Sequence, residues 1–266
     1  MAERRVALIQ HAESYVGPCL ARRLAASGHD LVIHLARPGL AEELAALGAA
    51  AEVIGEAEIP RAGPGSCATA EGAQALVDRA MARFGRLDAA ALQPLNSHAL
   101  GFTRGPFLDA PVAHVRAMAG YMEGTFHMLR AVIPVMRDRG GGQVLVFTSD
   151  AGTRPEADWT LYGAGRAGQN FLVQAVALEH ARDGISINAL ASKNAVFEGF
   201  PNCPPGAATD ASVTLGAWSD PLTAETPLRR LGTMEELAAF ASVLLDGTNR
   251  FQTAQVFSYS GGWNVD

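Results

Sequence analysis

Val144-Leu145-Val146-Phe147, a helix-patterned segment Leu161–Ala181, and Ile185-Ser186-Ile187-Asn188-Ala189-Leu190 form the stretch on which the fold turns. The first run is apolar at every position, as a strand covered on both faces requires. The middle segment is far too long for a strand and carries apolar residues at helical spacing. The last run returns to short, branched apolar residues. Strand, long helix, strand implies two parallel strands joined by a crossover, which is right-handed for steric reasons.

The same alternation extends outward in both directions. Val6-Ala7-Leu8-Ile9 reads as a strand and Val16–Ser27 as a helix stopped by Gly28. Leu31–Ile33, Ala50–Ile54 and Leu87–Leu92 read as further strands, with helices at Leu40–Leu47, Glu71–Phe84 and Val112–Arg137 between and after them. Beyond the central unit lie an irregular section, Ser192 to Thr226, a helix at Glu235–Leu245 and a last strand at Gln255–Tyr259. The expected fold is one Rossmann-like α/β domain over 1–266, a doubly wound parallel sheet in a three-layer αβα arrangement. Ligands in such sheets sit beyond the carboxyl ends of the strands. The residues that follow Ile9, His34, Leu92, Phe147 and Leu190 are therefore the ones to interrogate.

Composition narrows the function. The chain has 266 residues, 48% of them hydrophobic, and a net charge of −6. Its pI near 5.6 and its lack of a basic run argue against a nucleic-acid surface. Cys19, Cys67 and Cys203 fit neither a disulfide framework nor a zinc pattern, and read as small buried apolar residues in a reducing cytosol. His98, His114, His127 and His180 show no metal-ligand spacing. No signal-peptide core or membrane-length apolar run is evident, so a soluble cytoplasmic protein is expected.

The chemistry gathers after the fifth strand. Ser149 follows that strand, Tyr162 comes thirteen residues later, and Arg166 sits one helical turn on. Positions i and i+4 share a helix face, and a guanidinium there favours phenolate over phenol. With the Ser149 hydroxyl holding a substrate oxygen, the three make a site for removing a proton from an alcohol. Asp150 reads as a pocket polar group or a helix cap.

These residues resemble the short-chain dehydrogenase/reductase superfamily. Ser149…Tyr162-Gly163-Ala164-Gly165-Arg166 matches its catalytic stretch. Pro227 to Leu237, with Gln255 to Gly262, resembles its C-terminal pattern. Reductases normally carry lysine at the Arg166 position, whereas serine, tyrosine and arginine at this spacing are what halohydrin dehalogenases carry. Tyr15-Val16-Gly17-Pro18, Leu178-Glu179-His180-Ala181-Arg182 and Asn249-Arg250-Phe251-Gln252 are similar to the branch of that family accepting cyclic substrates.

A reductase also needs a glycine-rich turn after its first strand, so that backbone N–H groups can approach a pyrophosphate. Here the turn is Gln10-His11-Ala12-Glu13-Ser14-Tyr15-Val16-Gly17. Only Gly17 remains of the expected glycines, and Glu13 adds a repelling charge. The second strand ends at His34 without a carboxylate for an adenosine ribose. Gln93-Pro94-Leu95-Asn96 and Ala191-Ser192-Lys193 replace two further cofactor motifs. The expectation is an enzyme with no nicotinamide cofactor.

The resemblance implies a cofactor-independent halohydrin dehalogenase that closes haloalcohols to epoxides and opens epoxides with azide, cyanide or nitrite. It assigns Ser149, Tyr162 and Arg166 to catalysis, and Tyr15 with Ser192, Lys193, Asn194 and Ala195 to the halide nest. Phe197, Phe200 and Trp218 are expected in the substrate pocket. A homotetramer is implied, in which Trp263 reaches a neighbouring subunit or packs on its own. Gln10 stands where that family has threonine, and Lys193 where an uncharged residue is usual. Tyr121 stands where many reductases have a catalytic asparagine. The alternatives are an NAD(P)-dependent short-chain oxidoreductase with an unusual turn, and a non-catalytic small-molecule binder that retains the triad by descent.

Overall fold

A computed structural model describes residues 3–59, 69–93, 105–197 and 220–265. Among the described residues seven parallel strands form one sheet: β1 (Arg5–Ile9), β2 (His29–His34), β3 (Ala51–Ile54), β4 (Ala89–Leu92), β5 (Gly142–Ser149), β6 (Ile185–Ser192) and β7 (Val256–Tyr259). Their order is β3-β2-β1-β4-β5-β6-β7, so the winding reverses between β1 and β4. That is the doubly wound sheet the strand–helix alternation predicts, and its reversal opens a crevice at the carboxyl ends.

Alternation along each strand divides the core into two layers. Val6 and Leu8 of β1 point to one face, together with Val144 and Val146 of β5. Ala7 and Ile9 point to the other, with Leu145 and Phe147. The first face is covered by α3 (Ala70–Phe84), α4 (Val112–Asp138) and α5 (Thr160–His180). The second is covered by α1 (Gly17–Ala26), α2 (Leu40–Ala46) and α7 (Met234–Val243).

Helix ends follow local chemistry. Thr69 caps α3 by accepting from the Gly72 N–H, and Gly85 ends it with φ +68°. Thr233 and Glu236 form a reciprocal capping box at α7. A short helix, α6 (Asp220–Glu225), lies inside the section read as irregular. Cys19 is buried, and burial pushes its thiol up to about 12, in keeping with a packing role. Cys67 and Cys203 lie outside the described residues, as does His98. Among the described residues no helix is long and apolar enough to cross a membrane, and no metal-binding cluster occurs.

Candidate active site

β5 runs longer than its apolar core suggests, making Ser149 its last residue, paired in register with Ser192, the last of β6. The two serines therefore stand side by side at the carboxyl edge, on adjacent strands ~5 Å apart. The Ser149 Oγ accepts from the Ala151 N–H at 3.2 Å, which starts a 3-10 turn over Asp150–Gly152.

That turn meets the first turns of α5 at very short range. A Cβ on Gly163 would lie 2.7 Å from the Ala151 carbonyl oxygen, and one on Gly152 2.6 Å from the Arg166 carbonyl carbon. Only glycine permits this approach, and it brings the helix start bearing Tyr162 against the strand end bearing Ser149. The Tyr162 ring packs against Trp159, with centroids 5.3 Å apart, and edge-on against Tyr121 at 6.0 Å.

Arg166 is buried. Its guanidinium carbon lies 3.7 Å from the Tyr121 ring centroid and 5.1 Å from that of Tyr162. Its Nη1 donates to Gln169 Oε1 at 2.9 Å. Its Nε has no hydrogen-bond partner among the described residues. Tyr121 thus stacks on the cation from α4. Neither Gln169 nor Trp159 had been singled out by sequence reasoning. Gln169 was findable, being one helical turn beyond Arg166 on the same face.

Tyr15 reaches this site from the β1–α1 turn. Its hydroxyl lies 2.6 Å from the Ser192 Oγ, and its ring packs edge-on against Phe147 and Phe197, with centroids 6.1 and 5.6 Å apart. Burial pushes its phenol well above the usual range, against a lowering pull from the Ser192 hydrogen bond. The remainder of the turn folds inward. Ala12 is fully buried and donates its N–H to the His34 carbonyl, while the His11 N–H donates to His34 Nδ1 at 3.4 Å. Burial, reinforced by His11, lowers the His34 imidazole to about 3. A Cβ on Gly17 would lie 2.6 Å from Ala12 Cα, so the surviving glycine serves to close the turn on itself.

The loop after β6 departs from the expected nest. The Lys193 Nζ pairs with Glu156 Oε1 at 2.6 Å and stands 4.4 Å from the Trp263 ring centroid. The Asn194 side chain donates to Thr226 Oγ1 at 3.0 Å, while its backbone turns at φ +55°. Ala195 bridges to Gly232. Of the five residues assigned to the nest, Tyr15 and Ser192 meet directly, whereas the side chains of Lys193 and Asn194 are committed elsewhere. Phe197 lies beside Tyr15; Phe200 and Trp218 lie outside the described residues.

Asp150 is neither exposed to the pocket nor a helix cap through its side chain. It is fully buried and accepts from Ser258 Oγ at 2.8 Å and Asn264 Nδ2 at 3.2 Å. Burial pushes its carboxyl up despite these bonds. Trp263 packs within its own chain, under Arg154 and Lys193, each 4.4 Å from its ring centroid.

Residues 12–264 match the family profile described as enoyl-(acyl carrier protein) reductase. The chain belongs to the short-chain dehydrogenase/reductase superfamily. Among curated members it is 31% identical, over 97% of its length and 94% of the relative's, to the (2S)-[(R)-hydroxy(phenyl)methyl]succinyl-CoA dehydrogenase subunit BbsC of Thauera aromatica. Among solved superfamily structures, acetoin dehydrogenase from Enterobacter cloacae superposes with a TM-score of 0.80 at 26% identity, covering 99% of this chain and 96% of that one. A structure described as a dehalogenation enzyme superposes with a TM-score of 0.79 at 25% identity, covering 98% and 99%.

Proposed function

We propose that the protein is a cofactor-independent dehalogenase of vicinal haloalcohols, working in reverse as an epoxide-opening enzyme for small anions. The observation that carries this reading is Tyr15. Its partly buried ring and its hydroxyl bond to Ser192 span the carboxyl edge of the sheet from β1 to β6. A dinucleotide cradle needs bare backbone there, and the inward-folded turn with His11 packed on His34 does not fit one. The likeness to the dehalogenation enzyme and the arginine stacked beside Tyr162 support the same reading.

In this mechanism Ser149 donates to the substrate oxygen and Tyr162, as phenolate, takes the hydroxyl proton. The alkoxide attacks the neighbouring carbon from behind, forming the C–O bond as the carbon–halogen bond breaks. Halide leaves with the electron pair beside Tyr15 and Ser192, and Tyr162 returns its proton to water. Both reacting atoms belong to one molecule, so positioning supplies much of the acceleration. Arg166, buried with its guanidinium carbon 5.1 Å from the Tyr162 ring centroid, offsets the negative charge on Tyr162.

The second reading is an NAD(P)-dependent short-chain oxidoreductase. The matched family profile and the names of the relatives, which are dehydrogenases and reductases, favour it over dehalogenation. One experiment separates the two. Bromide release from a cyclic and a linear bromoalcohol is measured with no nicotinamide present, alongside NADH and NADPH binding by tryptophan quenching. The dehalogenase reading expects release that is lost in Tyr162→Phe, and no quenching. Quenching at micromolar nucleotide without bromide release would establish the oxidoreductase. A folded protein that does neither, yet melts higher with a bound small molecule, would be a binder.

A further inference from the structure

Behind Arg166 lies a directional chain of hydrogen bonds. Arg166 Nη1 donates to Gln169 Oε1 at 2.9 Å, Gln169 Nε2 donates to Thr125 Oγ1 at 2.7 Å, and Thr125 Oγ1 donates to the Tyr121 carbonyl at 2.9 Å. Every donor and acceptor is used in one sense only. The carbonyl at the end leaves the threonine hydroxyl as donor, so its lone pairs face the amide N–H. The amide must then present its oxygen to the guanidinium. Gln169 and Thr125 are both buried, where an unmade hydrogen bond is costly and a misdirected amide correspondingly rare. The chain begins at a helix α5 cation and ends on α4 at Tyr121, whose ring stacks on that same cation. The guanidinium is therefore held at both its face and its edge.

We propose that Gln169 and Thr125 are positioning residues that aim the Arg166 guanidinium at Tyr162 and so set how readily Tyr162 works as a base. This rests on the assignment of Tyr162 as the base in the reading above. A guanidinium is planar, and its effect on a neighbouring oxygen depends on orientation as well as distance. Cutting the chain at Thr125 frees Gln169 to rotate, and Arg166 turns with it.

The other charged and titratable groups around the pair are fixed by separate contacts. Tyr15 is bonded to Ser192, Asp150 to Ser258 and Asn264, and Lys193 to Glu156, while Tyr121 belongs to the network itself. An uncharged substitution at Thr125 alters none of these charges, so a change at Tyr162 reports on Arg166.

The test compares Thr125→Val, Thr125→Ser and Gln169→Leu with wild type. Valine keeps the threonine shape without the hydroxyl, and serine restores the hydroxyl. The first readout is the pH profile of kcat and KM for bromide release. Thr125→Val and Gln169→Leu should move the acidic limb of kcat upward by about one pH unit, roughly tenfold in rate below it, with KM within about twofold. Thr125→Ser should restore the wild-type limb. The second readout needs no turnover: the 295 nm phenolate titration of each protein minus that of its Tyr162→Phe counterpart, whose midpoint should move by the same amount. A moved midpoint in a protein that releases no bromide sustains the positioning role and removes the dehalogenase reading alone. An active enzyme with an unmoved limb and midpoint in Thr125→Val overturns the positioning role, as does a serine variant no better than valine.

Discussion

Lys193 occupies a position where the halide-binding resemblance implies an uncharged residue, and its ammonium goes to Glu156 and the face of Trp263. Lys193→Met should therefore leave bromide inhibition within about twofold of wild type, and lower stability by more than the ~1 kcal/mol of an exposed pair, because it leaves the largely buried Glu156 carboxylate unpaired. Bromide affinity that falls tenfold would mean the ammonium serves the anion directly. His34 gives a second prediction, on stability. Its imidazole is buried neutral at about 3, whereas the unfolded chain titrates near 6.5. A depressed histidine stabilises the fold above the unfolded value, and that contribution is lost as pH falls from 6.5 toward 3, at about 1.4 kcal/mol per unit. His29, fully buried and also lowered by desolvation, adds in the same direction. Urea midpoints should fall steeply below pH 6.5 in wild type and more shallowly in His34→Gln. Equal slopes would place the acid sensitivity elsewhere.

The seam between the Asp150–Gly152 turn and α5 decides where Tyr162 stands. Alanine in place of Gly163 would gain up to ~1 kcal/mol of helix propensity. Its methyl, however, would meet the Ala151 carbonyl oxygen at 2.7 Å, and backbone cannot swing aside as a side chain can. Overpacking of this kind costs about 1–3 kcal/mol, so the clash wins. Gly163→Ala should melt lower and lose activity through kcat; an unchanged melting temperature would show the seam can open cheaply. The elements themselves were legible in the sequence, since buried parallel strands are apolar throughout and their helices are long. Strand ends were less so: Ser149 and Ser192 are polar, and only pairing in register shows that they still belong to β5 and β6. The resemblance singled out Tyr15 and Ser192, whose hydroxyls meet at 2.6 Å. The commitments of Lys193 and Asn194 were not, because Glu156 and Thr226 lie 37 and 32 positions away and meet them only through the fold.

At the scale of the molecule, the two ends of the site are tied by the C-terminal segment. Ser258 and Asn264 hold the buried Asp150, Ser260 Oγ accepts from the Asn264 N–H, and the Trp263 carbonyl accepts from Arg154. Removing residues 263–266 strips a partner from a buried carboxylate, which costs ~1–3 kcal/mol, more if the group stays charged. The truncated protein should melt lower and lose bromide release even though every residue of the triad is present. Retained release would mean that the Asp150 turn holds its shape unaided. The same tie has a consequence for how the protein is born. Domains tend to fold from their N-terminus as they leave the ribosome, and β1 to β5 can pair in the order they emerge. The loop bearing Ser149 and Asp150 must wait for Ser258 and Asn264 to be made before it is clamped. A ribosome stalled short of Asn264 would therefore display a nascent chain with most of its sheet assembled and no working centre.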